Sequence, residues 1–150
     1  MDHMPHEPGD SDDPVGALVT AVGHDRAEIE QLCAAILAAM AERRLSHAAQ
    51  FAVRLAWEEA VSNAIHHGNQ DRLDGRIEVA YHVDASRVFI RISDEGDGFE
   101  PATVLDPTLD ENLECLSGRG LLLMRAYMTR VEFPAPGNTV RMLLENPSAP

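Results

Sequence analysis

Residues 51–68 read Phe51-Ala52-Val53-Arg54-Leu55-Ala56-Trp57-Glu58-Glu59-Ala60-Val61-Ser62-Asn63-Ala64-Ile65-His66-His67-Gly68. A helix is predicted from about Ser46 to Ile65. Steps of four give Phe51, Leu55, Glu59, Asn63 and His67 on one slowly winding row. The row starts apolar, so this face is expected to turn inward, and it then becomes acid, amide and imidazole. Beside it, Ala52, Ala56, Ala60 and Ala64 make a row of small side chains that lets another backbone pack close. Glu59 and Asn63 thus stand one turn apart on a partly buried surface, where a carboxylate is costly without partners or a task. Two readings stay open at this point: local capping at a helix end stopped by Gly68, or chemistry.

Working outward, Ala17 to Val22 is a short apolar run closed by Gly23, expected as a first strand. Asp25 with Glu28 three residues later marks a helix start, and Ile29, Leu32, Cys33, Ile36 and Met40 recur at helical spacing. After the Glu59 helix come two alternating runs, Ile77/Val79/Tyr81/Val83 and Val88/Ile90/Ile92, joined across Asp84-Ala85-Ser86. A helix is predicted from about Gly120 to Met128. Val131/Phe133 and Val140/Met142/Leu144 form a closing hairpin across residues 134–138. The order β-α-α-β-β-loop-α-β-β predicts an α+β fold: a mixed, mostly antiparallel sheet with helices on one face.

Composition narrows the functions open to the chain. Its 150 residues suit one domain, and 45% hydrophobic residues suffice for a core. Twelve basic against 25 acidic residues give a net charge of −13, which repels phosphate backbones, so direct nucleic-acid and membrane partners are not expected. All twelve basic residues are Arg; the missing Lys excludes a P-loop. The longest apolar run, Leu32 to Ala41, is too short to cross a bilayer, and no basic-then-apolar leader opens the sequence. Two cysteines, Cys33 and Cys115, without metal-ligand pairing agree with a cytoplasmic protein. Residues 1–14 hold five acids, three prolines and no Arg and read as a disordered acidic tail; 15–145 form the domain, and 146–150 a second short tail.

Two glycine boxes join the Glu59 helix. Asp94-Glu95-Gly96-Asp97-Gly98 follows a strand, where an acid can accept a hydrogen bond from an exocyclic amine and the glycines let a ligand approach the backbone. Ser117-Gly118-Arg119-Gly120-Leu121 opens a helix, whose free N–H groups and dipole suit a phosphate. Each box alone is a common turn or helix boundary. Between them, residues 99–117 make a long loop rich in acids, of the length usually kept for function.

In order and spacing, Glu59 to Asn69, Asp94 to Phe99, Gly118 to Leu121 and Gly137-Asn138-Thr139-Val140-Arg141 resemble the nucleotide boxes of the Bergerat-fold ATPases, which include gyrase, the heat-shock chaperone, histidine kinases and mismatch-repair ATPases. The short E-A-V-x-N-A-x-x-H-G form is similar to the anti-sigma-factor serine/threonine kinases within that superfamily. The resemblance implies a two-layer sandwich with residues 99–117 as a lid over ATP. It implies that Asn63 coordinates Mg²⁺, Asp94 reads the adenine amine, Thr139 stands near adenine, and Gly96, Gly98, Gly118 and Gly120 shape the pocket. Glu59 is then the general base, a role that fits a hydroxyl that must lose its proton as it attacks the γ-phosphate. Glu58 points about 100° away around the helix. Many relatives have a basic residue where this chain has Leu116, so either Arg119 takes over at the phosphates or catalysis is slow. The implied partners are a sigma factor and an anti-sigma-factor antagonist bearing the acceptor serine, with a homodimer possible. The alternative is a nucleotide-binding partner-switch module without significant kinase activity.

Overall fold

The computed structural model describes residues 18–65, 76–94, 118–134 and 138–147. The 1–14 tail, Gly96, Gly98 and the 99–117 lid therefore lie outside the described residues.

The order is β1 (Val19–Gly23), α1 (Arg26–Glu42), α2 (His47–Asn63), β2 (Ile77–Val83), β3 (Arg87–Ser93), α3 (Gly118–Tyr127), β4 (Arg130–Glu132) and β5 (Thr139–Glu145). The α1 start follows the expected pattern. Asp25 caps it by accepting from the Glu28 N–H at 2.8 Å, and the Glu28 carboxylate takes the His24 N–H at 2.7 Å. Its end carries no glycine. Arg44 adopts a left-handed φ of 56°; the Arg44 N–H reaches the Ala41 carbonyl and the Leu45 N–H the Met40 carbonyl, which closes the last turn and buries Leu45.

The sheet order is β1-β2-β3-β5-β4. All four pairings are antiparallel, so the parallel component of the expected mixed sheet does not occur among the described residues. The reason is the even number of passes between sheet neighbours. Two helices return the chain from β1 to the head of β2, and α3 with β4 does the same between β3 and β5. Within the β2–β3 hairpin, the Asp84 carboxylate accepts from the Ser86 and Arg87 N–H groups at 2.7 and 2.9 Å.

Alternation along the strands turns Ile77, Val79, Val83, Val88, Ile90, Ile92, Val140 and Met142 towards the helices, where they meet Ile29, Cys33, Ile36, Met40, Val53, Trp57 and Met124. Trp57 and Cys33 are core, and Cys33 lies on the apolar stripe that its helical spacing predicted. Cys33 has its thiol pushed up to about 11, chiefly by burial. The alanine row of α2 is buried throughout. The neighbouring row departs from expectation: Phe51 is 58% exposed, and its row becomes buried only towards Asn63. The Phe51 ring instead meets the Tyr127 ring edge-on, with centroids 5.8 Å apart. That contact joins the start of α2 to the end of α3. Because the two helices pack along each other, they run antiparallel.

Ser46 caps α2, accepting from the Ala49 N–H at 3.0 Å, and its hydroxyl and N–H donate to the Pro147 carbonyl at 2.9 and 3.2 Å. Pro147 is buried, and the Asn146 N–H reaches the Ser86 carbonyl. Two residues assigned to the C-terminal tail are thus held in the fold. Ser46→Ala removes the cap and one of the ties together, so thermal or urea unfolding should show a loss of about 1–2 kcal/mol.

Candidate functional site

The Ser46–Pro147 tie fixes the start of α2 at the end of the sheet where β5 finishes. A helix of seventeen residues and strands of seven have nearly the same length, about 25 Å. Asn63 therefore stands at the opposite end, where β3 stops at Ser93 and β5 begins at Thr139. Because α3 runs against α2, Gly118 and Gly120 also lie towards that end, and Gly120 is buried. Glu59, Asn63, Asp94 and the start of α3 are gathered at one end of the domain, although up to sixty residues separate them in sequence.

Asn63 is 8% exposed, and its amide makes no side-chain hydrogen bond among the described residues. A turn wider than the α-helical repeat follows at Ala64–Ile65. No cluster of three His, Cys, Asp or Glu side chains suited to a metal occurs among the described residues. Mg²⁺ needs no such cage: it is held by one or two protein oxygens together with water and phosphate. The Asn63 amide oxygen is a donor of that kind, and the carbonyl-rich C-terminus of α2 favours a cation. The N-terminus of α3 favours an anion. The two helix ends present opposite preferences at one place.

Glu59 is half-buried one turn before Asn63. Its carboxyl is raised above the ordinary glutamate range, first by burial and then by the negative charge of Glu58. Glu58 itself turns away to an exposed ion pair with Arg54 at 3.3 Å. Of the two adjacent acids, the helix leaves Glu59 on the site side.

Asp94 continues the β3–β5 ladder by one residue. Its N–H donates to the Asn138 carbonyl at 2.9 Å, and the Asn138 side-chain amide donates to the Asp94 carbonyl at 3.4 Å. Thr139, expected beside adenine, turns the other way. Val140 points into the core, so its neighbour Thr139 faces the outer side of the sheet, where its hydroxyl lies 2.9 Å from that of Ser93. Asn138, part of the fourth box but given no role by the sequence, is the residue that meets Asp94. Counting back by two from Met142 and Val140 would have placed it on the Asp94 side. Gly118 and Arg119 lie in the first turn of α3; Gly96 and Gly98 fall outside the described residues.

No helix among the described residues is long and apolar enough to cross a membrane. The profile of the histidine kinase-like ATPase domain matches residues 23–144, which covers every element except β1, of which it includes only Gly23, and the last residue of β5. The chain is similar to the anti-sigma F factor of Bacillus velezensis, 29% identical over 100 residues that are 60% of this chain and 65% of that protein. It is similar to the anti-sigma F factor of Clostridium beijerinckii, 30% identical over 101 residues, 62% of this chain and 67% of the relative. It also resembles the serine-protein kinase RsbW of Staphylococcus aureus, 32% identical over 97 residues, 59% of this chain and 61% of the relative. The chain thus spans about two thirds or less of the length of these relatives. With its fold, the gathering of its boxes at one end of the sheet and a profile match across nearly the whole sandwich, the chain belongs to the histidine kinase-like ATPase domain family.

Proposed function

We propose that the chain is an ATP- and Mg²⁺-dependent protein serine/threonine kinase that acts in the cytoplasm as an anti-sigma factor. Its substrate is a serine on an antagonist protein, and its other partner is a sigma factor. The main support is the pairing of Glu59 and Asn63, one turn apart at the end of the domain where Asp94 stands. The names of the similar proteins, two anti-sigma F factors and a serine-protein kinase, supply the partner class.

In this reading Asp94 accepts from the adenine amine and Asn138 holds the Asp94 backbone in place. Gly96, Gly98, Gly118 and Gly120 leave room for the nucleotide, and Arg119 supplies the positive charge at the phosphates. The Asn63 amide would hold Mg²⁺, which supplies charge neutralisation at the phosphates. The Glu59 carboxylate takes the proton of the attacking serine hydroxyl, and a carboxyl raised above its usual range is a stronger base for that step.

The decisive experiment incubates the protein with γ-labelled ATP, Mg²⁺ and a co-purified antagonist, then maps the labelled residue. Phosphoserine on the antagonist supports the kinase; binding of ATP and antagonist without label leaves the partner-switch module as the reading. Asp94→Asn turns an acceptor into an amide that presents a donor towards the adenine amine. Calorimetry should show ATP affinity falling by one to three orders of magnitude, about 1.5–4 kcal/mol, with circular dichroism unchanged. Unchanged affinity would remove Asp94 from the nucleotide site.

A further inference from the structure

The sheet has a second face, turned away from the helices. Register places Thr20, Ala80, Arg91, Arg141 and Glu132 side by side in one row across it, and His82, Phe89, Leu143 and Arg130 in the next. A sheet face left to water should be polar and open. Here Phe89 is 0% exposed, with Ala80, Leu143 and Arg141 nearly as closed. The Arg141 guanidinium stands 5.9 Å from the Phe89 ring centroid, too small a group to cover a whole ring. All three described helices pack on the opposite face.

We propose that the acidic N-terminal stretch, residues 1–17, lies across this outer face and docks on Phe89, Leu143 and the Arg91–Arg141 pair. Three observations support that occupant over any other part of the chain. The first is position: β1 is an edge strand, and its first residue, Val19, pairs with Tyr81 beside the Phe89 row. α2, β3 and β4 all finish towards the other end of the sheet, and Pro147 meets Ser46 on the helix side.

The second is reach. Three strand spacings separate β1 from β5, about 14 Å, while seventeen extended residues span up to about 56 Å. The third is charge. Arg91 and Arg141 stand directly opposite each other on neighbouring strands, with Glu132 next to Arg141 in the same row, so the row carries two cations for one acid. Residues 1–17 bring Asp2, Glu7, Asp10, Asp12 and Asp13 with no Arg. A cleft of about 270 Å³ beside that pair is lined by Thr20, Ala80, Arg91, Ser93 and Glu78, whose carboxylate is paired with Arg76 at 3.0 Å. This face lies on the opposite side of the sheet from Asn63 and the core, so the docking is independent of the nucleotide reading.

The test places a nitroxide on Asp12→Cys in the full chain carrying Cys115→Ser; buried Cys33, with its raised thiol, escapes the label. The amide resonances of Thr20, Ala80, Arg91 and Leu143 should broaden and those of α1 should not, unchanged on dilution. Added salt, or Arg91→Gln in a chain whose spectrum stays dispersed, should relieve the broadening. Broadening absent, or spread over the helices, overturns the proposal. So does broadening that appears only between labelled and isotope-enriched molecules in a mixture, which would make the occupant a second copy of the chain.

Discussion

Glu59→Gln should lower phosphoryl transfer to the antagonist by about 10²–10⁴-fold and leave ATP affinity nearly unchanged. Glutamine keeps the size and hydrogen-bonding reach of the side chain but takes no proton at neutral pH, so only the step that needs a base is lost. The raised carboxyl adds a second signature. Activity should climb with pH through the Glu59 titration, starting above the ordinary glutamate range, and that limb should vanish in the variant. Stability should move the opposite way. A carboxyl raised in the folded state binds more protons folded than unfolded, so stability falls as pH rises from the ordinary glutamate value through the raised one. Glu59→Gln removes that loss and should unfold no more easily than the parent at neutral pH. A variant equal in rate to the parent would take the base away from Glu59; one equally slow but unable to bind ATP would make Glu59 structural.

Trp57→Ala should be the most destabilising single truncation on α2, at about 3–5 kcal/mol. Trp57 is 2% exposed and packed within the cluster that joins α1, α2 and the sheet, so its removal leaves a void that a helix packed against both cannot easily collapse into. Against the 5–15 kcal/mol typical of a domain, that is a large share. Phe51→Ala, six residues earlier on the same helix, gives the contrast: its ring is exposed and meets one aromatic neighbour, so about 1 kcal/mol should go. Urea unfolding followed by far-UV circular dichroism checks both, since Trp57 is the chain's one tryptophan. A shift of the Trp57→Ala midpoint no larger than that of Phe51→Ala would contradict the packing described above.

Local rules carried much of the fold. Asp25 and Ser46 cap their helices because a short polar side chain before an apolar period satisfies free N–H groups wherever it occurs. The β2–β3 hairpin follows from period-two alternation and the turn chemistry of Asp84. What stayed hidden depends on residues far apart. Phe51 belongs to an apolar row, yet the approach of Tyr127, 76 positions later, decides that it sits at a rim. Nothing local marks Arg44 as left-handed, because the usual glycine is absent. Pro147 reads as a tail until its partner, 101 positions earlier, is known.

At the candidate site, the residue types and their order were legible, while facing was less so. Glu59 and Asn63 follow from helical spacing alone. That Asn138 and not Thr139 stands on the Asp94 side of the sheet turns on strand parity, where one residue of offset moves a side chain to the other face. The closed outer face was invisible for the same reason: alternation says which residues leave the core, not what lies over them.

The strand order has a consequence for synthesis on the ribosome. The sheet's middle strand, β3, is complete on one side as soon as it is made, since β2 precedes it immediately. Its other side waits for β5, made some fifty residues later, and the tie from Ser46 at the start of α2 waits for Pro147, later still. A nascent chain at that stage shows an apolar strand edge, Val88, Ile90 and Ile92 among its residues, with nothing yet to pair it. Premature release would leave a fragment with nearly all the helical core and an adhesive border. Slow elongation through residues 95–138 is where trigger-type chaperones would earn their keep.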